Sequence, residues 1–259
     1  MCFDYDASPP DLPEGSGMAL PHGSGQELVL TSADGTQFAG YAVRAPSPTG
    51  AGIVILPDVR GLFSFYKQLA ERFAGAGVAA IAIDYFGRTA GLTARDESFE
   101  YMPHVAQTRP DAIAQDTAAA ITYLKTQMSP APHAIFTVGF CFGGGNSFLQ
   151  AANQHGLSGV IGFYGSPTNR RNDNPAPIER IGEFSCPVLG LFGGADQGIP
   201  AESVHQFDAA LTSVHIEHSL HIYPGAPHSF FDRRYDDYTT ECADAWQRML
   251  AFIRAHTPA

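Results

Sequence analysis

Cys141, Asp196 and His228 are the residues in this chain whose types and settings could carry covalent chemistry. Cys141 stands at the centre of Gly139-Phe140-Cys141-Phe142-Gly143, behind an apolar run rich in β-formers and ahead of a segment able to wind as a helix. That is the G-x-nucleophile-x-G pattern of a strand–turn–helix elbow, with sulfur in place of a serine oxygen. So tight a turn forces strained backbone angles on its central residue and leaves no room for a Cβ two positions before or after it. The side chain is lifted above the sheet edge at the positive end of the following helix, where a thiolate is stabilised. A lone cysteine in an apolar run is more often core. The paired glycines and the strand–turn–helix setting favour the nucleophile.

Asp196 and His228 occupy comparable settings further along. Asp196 ends Gly193-Gly194-Ala195-Asp196, after a predicted strand closing at Phe192. His228 lies in Pro224-Gly225-Ala226-Pro227-His228-Ser229-Phe230-Phe231, after a predicted strand closing at Tyr223. Each has a plainer reading. Asp196 could cap the helix expected near Pro200, and His228 could bond within its own loop. The conjunction is more telling, because nucleophile, acid and histidine in that chain order are the α/β-hydrolase order.

The elements that must position these residues are legible in the patterning. Glu27–Thr31 and Thr36–Arg44 flank Ala33-Asp34-Gly35, which predicts an antiparallel hairpin. Gly52–Leu56, Val78–Asp84, Ile135–Gly139, Gly159–Tyr164, Pro187–Phe192 and Ile216–Tyr223 read as strands. Helical spacing marks Phe65–Ala76, Asp111–Gln127, Gly144–Asn153, Glu202–Leu211 and Cys242–Ala255. Apolar strands alternating with helices predict a mostly parallel sheet covered on both faces, led by the antiparallel hairpin. In such sheets reactive groups gather at the carboxyl ends of the strands. Residues 85–110 show no period, and a loop that long in a compact domain suits a lid or binding wall. A polar Asn/Arg/Pro loop follows at 168–177. Residues 1–26, rich in Pro, Gly, Ser and Asp, are expected to be a loosely ordered lead-in to one domain over 27–259.

Composition narrows the partners. A formal net charge of −11, with 15 Lys plus Arg and none before Arg44, argues against nucleic acid and anionic membranes and leaves no basic region for a secretory signal. No apolar run approaches the ~20 residues of a membrane span. Four scattered cysteines (Cys2, Cys141, Cys186, Cys242) without a C-x-x-C predict neither a disulfide scaffold nor a zinc knuckle, and point to the cytoplasm. His215, His218 and His221 cluster on paper, yet strand alternation sets His218 on the face opposite the other two, so no metal site is expected. Gly143–Gly145 does not match a dinucleotide fingerprint, and no cofactor is expected.

With these motifs in view, the sequence resembles the dienelactone hydrolase family of the α/β-hydrolases from about Thr36 to the C-terminus. The most specific pieces are GFCFGG (139–144) and PGAPHSF (224–230). The resemblance implies Cys141 as thiol nucleophile, Asp196 as acid and His228 as base. It aligns Asp58, in Leu56-Pro57-Asp58-Val59-Arg60-Gly61, with a glutamate held near the thiol, one methylene longer. It aligns Arg88, in Asp84-Tyr85-Phe86-Gly87-Arg88, with an arginine that grips a substrate carboxylate. A second family arginine falls where this chain has Asp232, with Arg233 or Arg234 nearby. Tyr85 and His104, by position alone, are further candidates for the substrate pocket, and the backbone N–H groups of Phe142 and Val59 are the expected oxyanion donors. Arg88 could equally be a solvated loop charge and Asp58 a turn residue.

The expected activity is thiol-based hydrolysis of a small ester or lactone, neutral or anionic, by a monomer or homodimer. One alternative is a carboxylesterase for neutral activated or aryl esters. The other is a non-catalytic thiol-redox or binding protein on the same scaffold, which would need neither Asp196 nor His228.

Overall fold

A computed structural model of the chain describes residues 6–10, 13, 15–171, 174–231 and 236–258. Its frame is one sheet of eight strands: β1 (Gln26–Thr31), β2 (Gln37–Val43), β3 (Ala51–Leu56), β4 (Ala79–Ile83), β5 (Ala134–Phe140), β6 (Gly159–Phe163), β7 (Val188–Gly193) and β8 (His218–Tyr223). The spatial order is β1-β2-β4-β3-β5-β6-β7-β8. β2 runs antiparallel to both β1 and β4, and every other pairing is parallel. The central strands are buried along their whole length, and apolar but for Thr137, because helices cover both of their faces.

Five longer helical segments join the strands, α1 (Ser64–Gly75), α4 (Pro110–Gln127), α5 (Phe142–Gln150), a 3₁₀ segment (Pro177–Glu183) and α6 (Ala201–Ser213), and α7 (Thr239–Ala255) follows the last strand. Two short helices, α2 (Gly87–Ala90) and α3 (Tyr101–Val105), lie within the stretch expected to be an aperiodic loop. Four or five residues are too few to show a hydrophobic period, so these turns are invisible to pattern reading. α1 and α7 share one face, where Phe73 packs on Trp246 at 4.9 Å between ring centres. α5 and α6 share the other through Phe148 and Phe207, 5.2 Å apart.

The lead-in before β1 carries no helix or strand among its described residues, but it is tied to the body. Gly23 N–H donates to Glu71 Oε1 at 2.7 Å, and Gln247 Nε2 donates to Ser16 Oγ at 2.7 Å. Beneath the carboxyl ends of β5 and β6, Phe140 stacks on Phe163 (4.8 Å) and on Phe231 (5.9 Å). This aromatic layer is fully buried behind the turn that carries Cys141. No helix among the described residues is long and apolar enough to cross a membrane.

Candidate active site

Three loops at the carboxyl edge of the sheet build the site. The first is the turn from β5 into α5. Cys141 sits there at φ 55°, ψ −112°, a conformation unfavourable for any residue with a Cβ. Such strain costs about 1–3 kcal/mol and persists only where the surroundings enforce it. They do: a Cβ on Gly139 would collide with the Gly143 carbonyl, and one on Gly143 with the carbonyls of Leu56 and Pro57. The Thr137 and Ser147 hydroxyls, 2.7 Å apart, pin strand to helix just behind the turn. α5 begins at Phe142, two residues earlier than its sequence pattern indicates, because the glycines that permit the turn also pack the first helical turn against neighbouring backbone.

The loops after β7 and β8 are laced together by their backbones. Gly194 N–H donates to Tyr223 O (2.7 Å) and Ala195 N–H to Ala226 O (2.9 Å). That registration brings residues 32 apart in sequence into contact: Asp196 Oδ2 lies 2.6 Å from His228 Nδ1. The other carboxylate oxygen, Oδ1, accepts the N–H groups of Gly198 (2.8 Å) and Ile199 (3.2 Å). The loop-fixing role and the histidine-pairing role thus belong to different oxygens of one side chain. Asp196 is buried and His228 half-buried, so the imidazole has one edge on a carboxylate and the other toward an opening. The opening is a cavity of about 470 Å³ lined by Cys141, His228, Phe142, Tyr164, Asn146 and Arg171 among others. The thiol and the imidazole therefore share one chamber.

Beside it, Asp58 is completely buried in the turn after β3, its Oδ1 accepting the Arg60 N–H at 2.8 Å. Val59 follows it in that turn, which lies against the elbow. Burial pushes the Tyr85 phenol well above its ordinary pKa, with the nearby charges of Asp58, Asp84 and Cys141 adding to the effect.

Several expected contacts fall elsewhere. Arg88 does not line the cavity: its Nη1 straddles the Asp116 carboxylate (2.9 and 2.7 Å) and its Nε bonds Asp34 Oδ2 at 2.8 Å. Asp34 comes from the β1–β2 turn and Asp116 from α4, so two distant acids claim this guanidinium. Tyr85 does not reach the cavity either. It is buried, its hydroxyl donates to Pro57 O (2.7 Å), and its ring stands edge-on to Phe142 at 5.3 Å. His104 is likewise no wall residue, because its ring stacks on Phe99 at 5.0 Å. Arg233, with Asp232 and Arg234, lies outside the described residues. His218 and His221 diverge, toward Asp208 of α6 and Asp244 of α7 respectively, whereas His215 is off the strand in a turn at φ 59°.

Sequence reasoning missed Tyr164, Asn146 and Arg171 as wall residues. Tyr164 follows β6 at φ 34° with its ring 5.0 Å from that of His228. Asn146 faces the cavity one turn into α5 and bonds Phe142 O at 2.9 Å. The available signal was the polar 168–177 loop, which follows a strand on the reactive edge.

An eight-stranded, mostly parallel sheet with a cysteine elbow after β5 and an Asp–His pair after β7 and β8 is the architecture of an α/β-hydrolase. The family model described as the dienelactone hydrolase family matches residues 38–257, and the chain belongs to that family. It is thereby a hydrolase of the ester and lactone type. A Synechocystis sp. protein named for an inferred carboxymethylenebutenolidase activity is 30% identical over 235 residues, 86% of this chain and 93% of that protein. A Saccharolobus solfataricus protein of the same designation is 27% identical over 265 residues, 88% of this chain and 98% of its own length. Among solved structures, a dienelactone hydrolase assigned by inference from Klebsiella pneumoniae superposes with a TM-score of 0.73 at 24% identity, covering 88% of this chain and 99% of its own. A dienelactone-hydrolase-like promiscuous phosphotriesterase from metagenomic libraries gives 0.71 at 21% identity, covering 91% of this chain and all of its own. At those identities the superpositions speak to the fold alone.

Proposed function

We propose that this hydrolase works through Cys141 as nucleophile, His228 as general base and Asp196 as the carboxylate that orients the base, on small esters or lactones in the cytoplasm. One observation carries the reading: a strained cysteine and an Asp-paired histidine open onto the same cavity.

The chemistry follows from the geometry. His228, paired through Nδ1 with Asp196, presents its Nε2 as proton acceptor for the thiol. Asp196 holds that tautomer and stabilises the imidazolium formed. The thiolate adds to the substrate carbonyl, and the oxyanion is received by the N–H groups of Phe142 and Val59, each expected to be worth roughly 3 kcal/mol. The tetrahedral species collapses by expelling the alcohol or enol, which takes the proton from His228 and leaves a thioester. Water, deprotonated by His228, then attacks the thioester carbonyl and releases the acid and the Cys141 thiol. Sulfur departs from the first adduct more readily than an alkoxide does, so enol lactones and aryl esters suit this site and amides do not. The name carboxymethylenebutenolidase, borne by the relatives, fits an enol lactone of this type.

The test is hydrolysis of 4-nitrophenyl acetate by the native chain and by Cys141→Ala. Turnover should fall by at least about a thousandfold with the circular dichroism spectrum retained. Undiminished turnover by that variant would remove Cys141 from the reaction.

A further inference from the structure

Tyr223, the last residue of β8, is the point at which the two loops of the Asp–His pair meet. Its carbonyl accepts the N–H of Gly194 (2.7 Å), two residues before Asp196, and that of Ala226 (3.2 Å), two residues before His228. Whatever holds Tyr223 therefore sets the separation of acid and base. Its side chain is buried, with the hydroxyl donating to Asp244 Oδ2 of α7 at 2.8 Å and the ring 5.1 Å from that of Phe230. Phe230 in turn meets the Tyr164 ring (5.8 Å), and Tyr164 meets the His228 imidazole (5.0 Å). Asp244 is itself fixed, because Arg248 Nε, one turn further along α7, donates to the same oxygen at 2.5 Å. A second hold lies two residues earlier on the helix, where Cys242 Sγ donates to the Phe230 carbonyl at 3.4 Å. The phenol stays a donor in this pair, since burial pushes Tyr223 above its ordinary pKa and the hydrogen bond to Asp244 adds to the push.

We infer that Tyr223 and Asp244 are positioning residues for the reaction: their hydrogen bond ties the end of β8 to α7 and so holds the His228–Asp196 geometry without touching the substrate. The inference rests on the hydrolase reading above. A displacement of about 1 Å imposed from outside the reacting groups can cost on the order of a hundredfold in rate. Here the backbone bonds of Tyr223 and the Cys242 contact remain when the side-chain bond is cut, so a smaller displacement and about a tenfold loss of kcat are expected. KM should hold, because neither residue lines the cavity.

The native chain, Tyr223→Phe, Asp244→Ala and Asp244→Asn test this, compared at a temperature where circular dichroism shows each to be folded. One readout is steady-state hydrolysis of 4-nitrophenyl acetate. The other needs no turnover: the proton NMR signal of His228 Nδ1–H, moved far downfield by its bond to Asp196 and assigned by its loss in His228→Ala. Tyr223→Phe and Asp244→Ala should each lose about tenfold in kcat, with KM within about twofold of native and the downfield signal weakened or shifted. Asp244→Asn, whose amide oxygen still accepts the phenol proton, should keep the signal and stay within about threefold of native kcat. If the ester turns over and the signal is unmoved in both Tyr223→Phe and Asp244→Ala, the positioning role is wrong while the hydrolase reading stands. An equal loss in Asp244→Asn and Asp244→Ala would also overturn the role, because the hydrogen bond would then not be what matters. If the native chain does not turn the ester over but Tyr223→Phe weakens the signal, the hydrolase reading fails and the positioning of His228 by α7 survives.

Discussion

The carboxyl ends of β4 and β7 both carry an aspartate, Asp84 and Asp196, and both aspartates are buried. Around Asp84 two cations are answered by acids. Arg95 grips it through Nε (3.1 Å) and Nη2 (2.8 Å), and a few residues away Arg88 joins Asp116 and Asp34. Around Asp196 the pairing stops one bond short of closure, with His228 turned from its carboxylate toward a cavity shared with a thiol. The first region spends its charges on holding the β1–β2 hairpin, α2 and α4 together. The second directs them at an opening. Local sequence does not separate the two, since both are polar loops following apolar strands. The difference lies in which distant element meets each loop: helix α4 brings Asp116 to the first, whereas no Asp or Glu among the described residues lines the cavity at the second.

The comparison is broken first at the working pair. Asp196→Asn keeps the shape of the side chain but leaves the imidazole without its anionic partner. Ester kcat should drop on the order of a thousandfold, with stability little changed, as read by steady-state kinetics beside urea unfolding. An activity within threefold of native would place Asp196 with the structural aspartates. Arg88→Ala tests the other region and should do the reverse. It uncovers the buried Asp116 carboxylate and should cost about 2 kcal/mol of unfolding free energy, less than for a fully buried pair because Arg88 is partly exposed. The ratio of kcat/KM for 4-nitrophenyl hydrogen glutarate over that for 4-nitrophenyl butyrate should not move in this variant. A shift in that ratio would return Arg88 to the substrate.

The smallest effect is one of pH. Burial holds the Asp116 carboxyl above its ordinary 3.8, against the pull of Arg88 and Ser32. The folded chain therefore binds that proton more tightly than the unfolded one, so this group subtracts stability as pH rises from 3.8 through its folded value. Without Arg88 the folded value climbs further and the loss extends upward. The urea stability of Arg88→Ala should be nearest to native at about pH 4 and fall away from it toward pH 7. A constant gap across that range would mean that Asp116 is not the group uncovered.

What was legible in the sequence divides along the same line. The strands, the five long helices and the α/β-hydrolase architecture are written in local periodicity, and Cys141, Asp196 and His228 follow from motif and order because each sits at a strand end. Arg88 is the instructive case. Its motif suggests a substrate anchor, but its partners lie 54 residues before it and 28 after, where no local rule looks. Tyr85 and His104 lie outside the cavity lining for a related reason: their rings find aromatic partners that no local pattern announces, Tyr85 on Phe142 and His104 on Phe99.

The central claim is that an acyl group rests on the sulfur of Cys141 during turnover. It is tested most directly by mixing the native chain with 4-nitrophenyl trimethylacetate, whose bulk slows attack by water, quenching in acid and mapping the adduct by mass spectrometry. The account predicts a burst of one nitrophenolate per chain and one trimethylacetyl group on the peptide carrying Cys141. A burst with the acyl group on any other residue would contradict it.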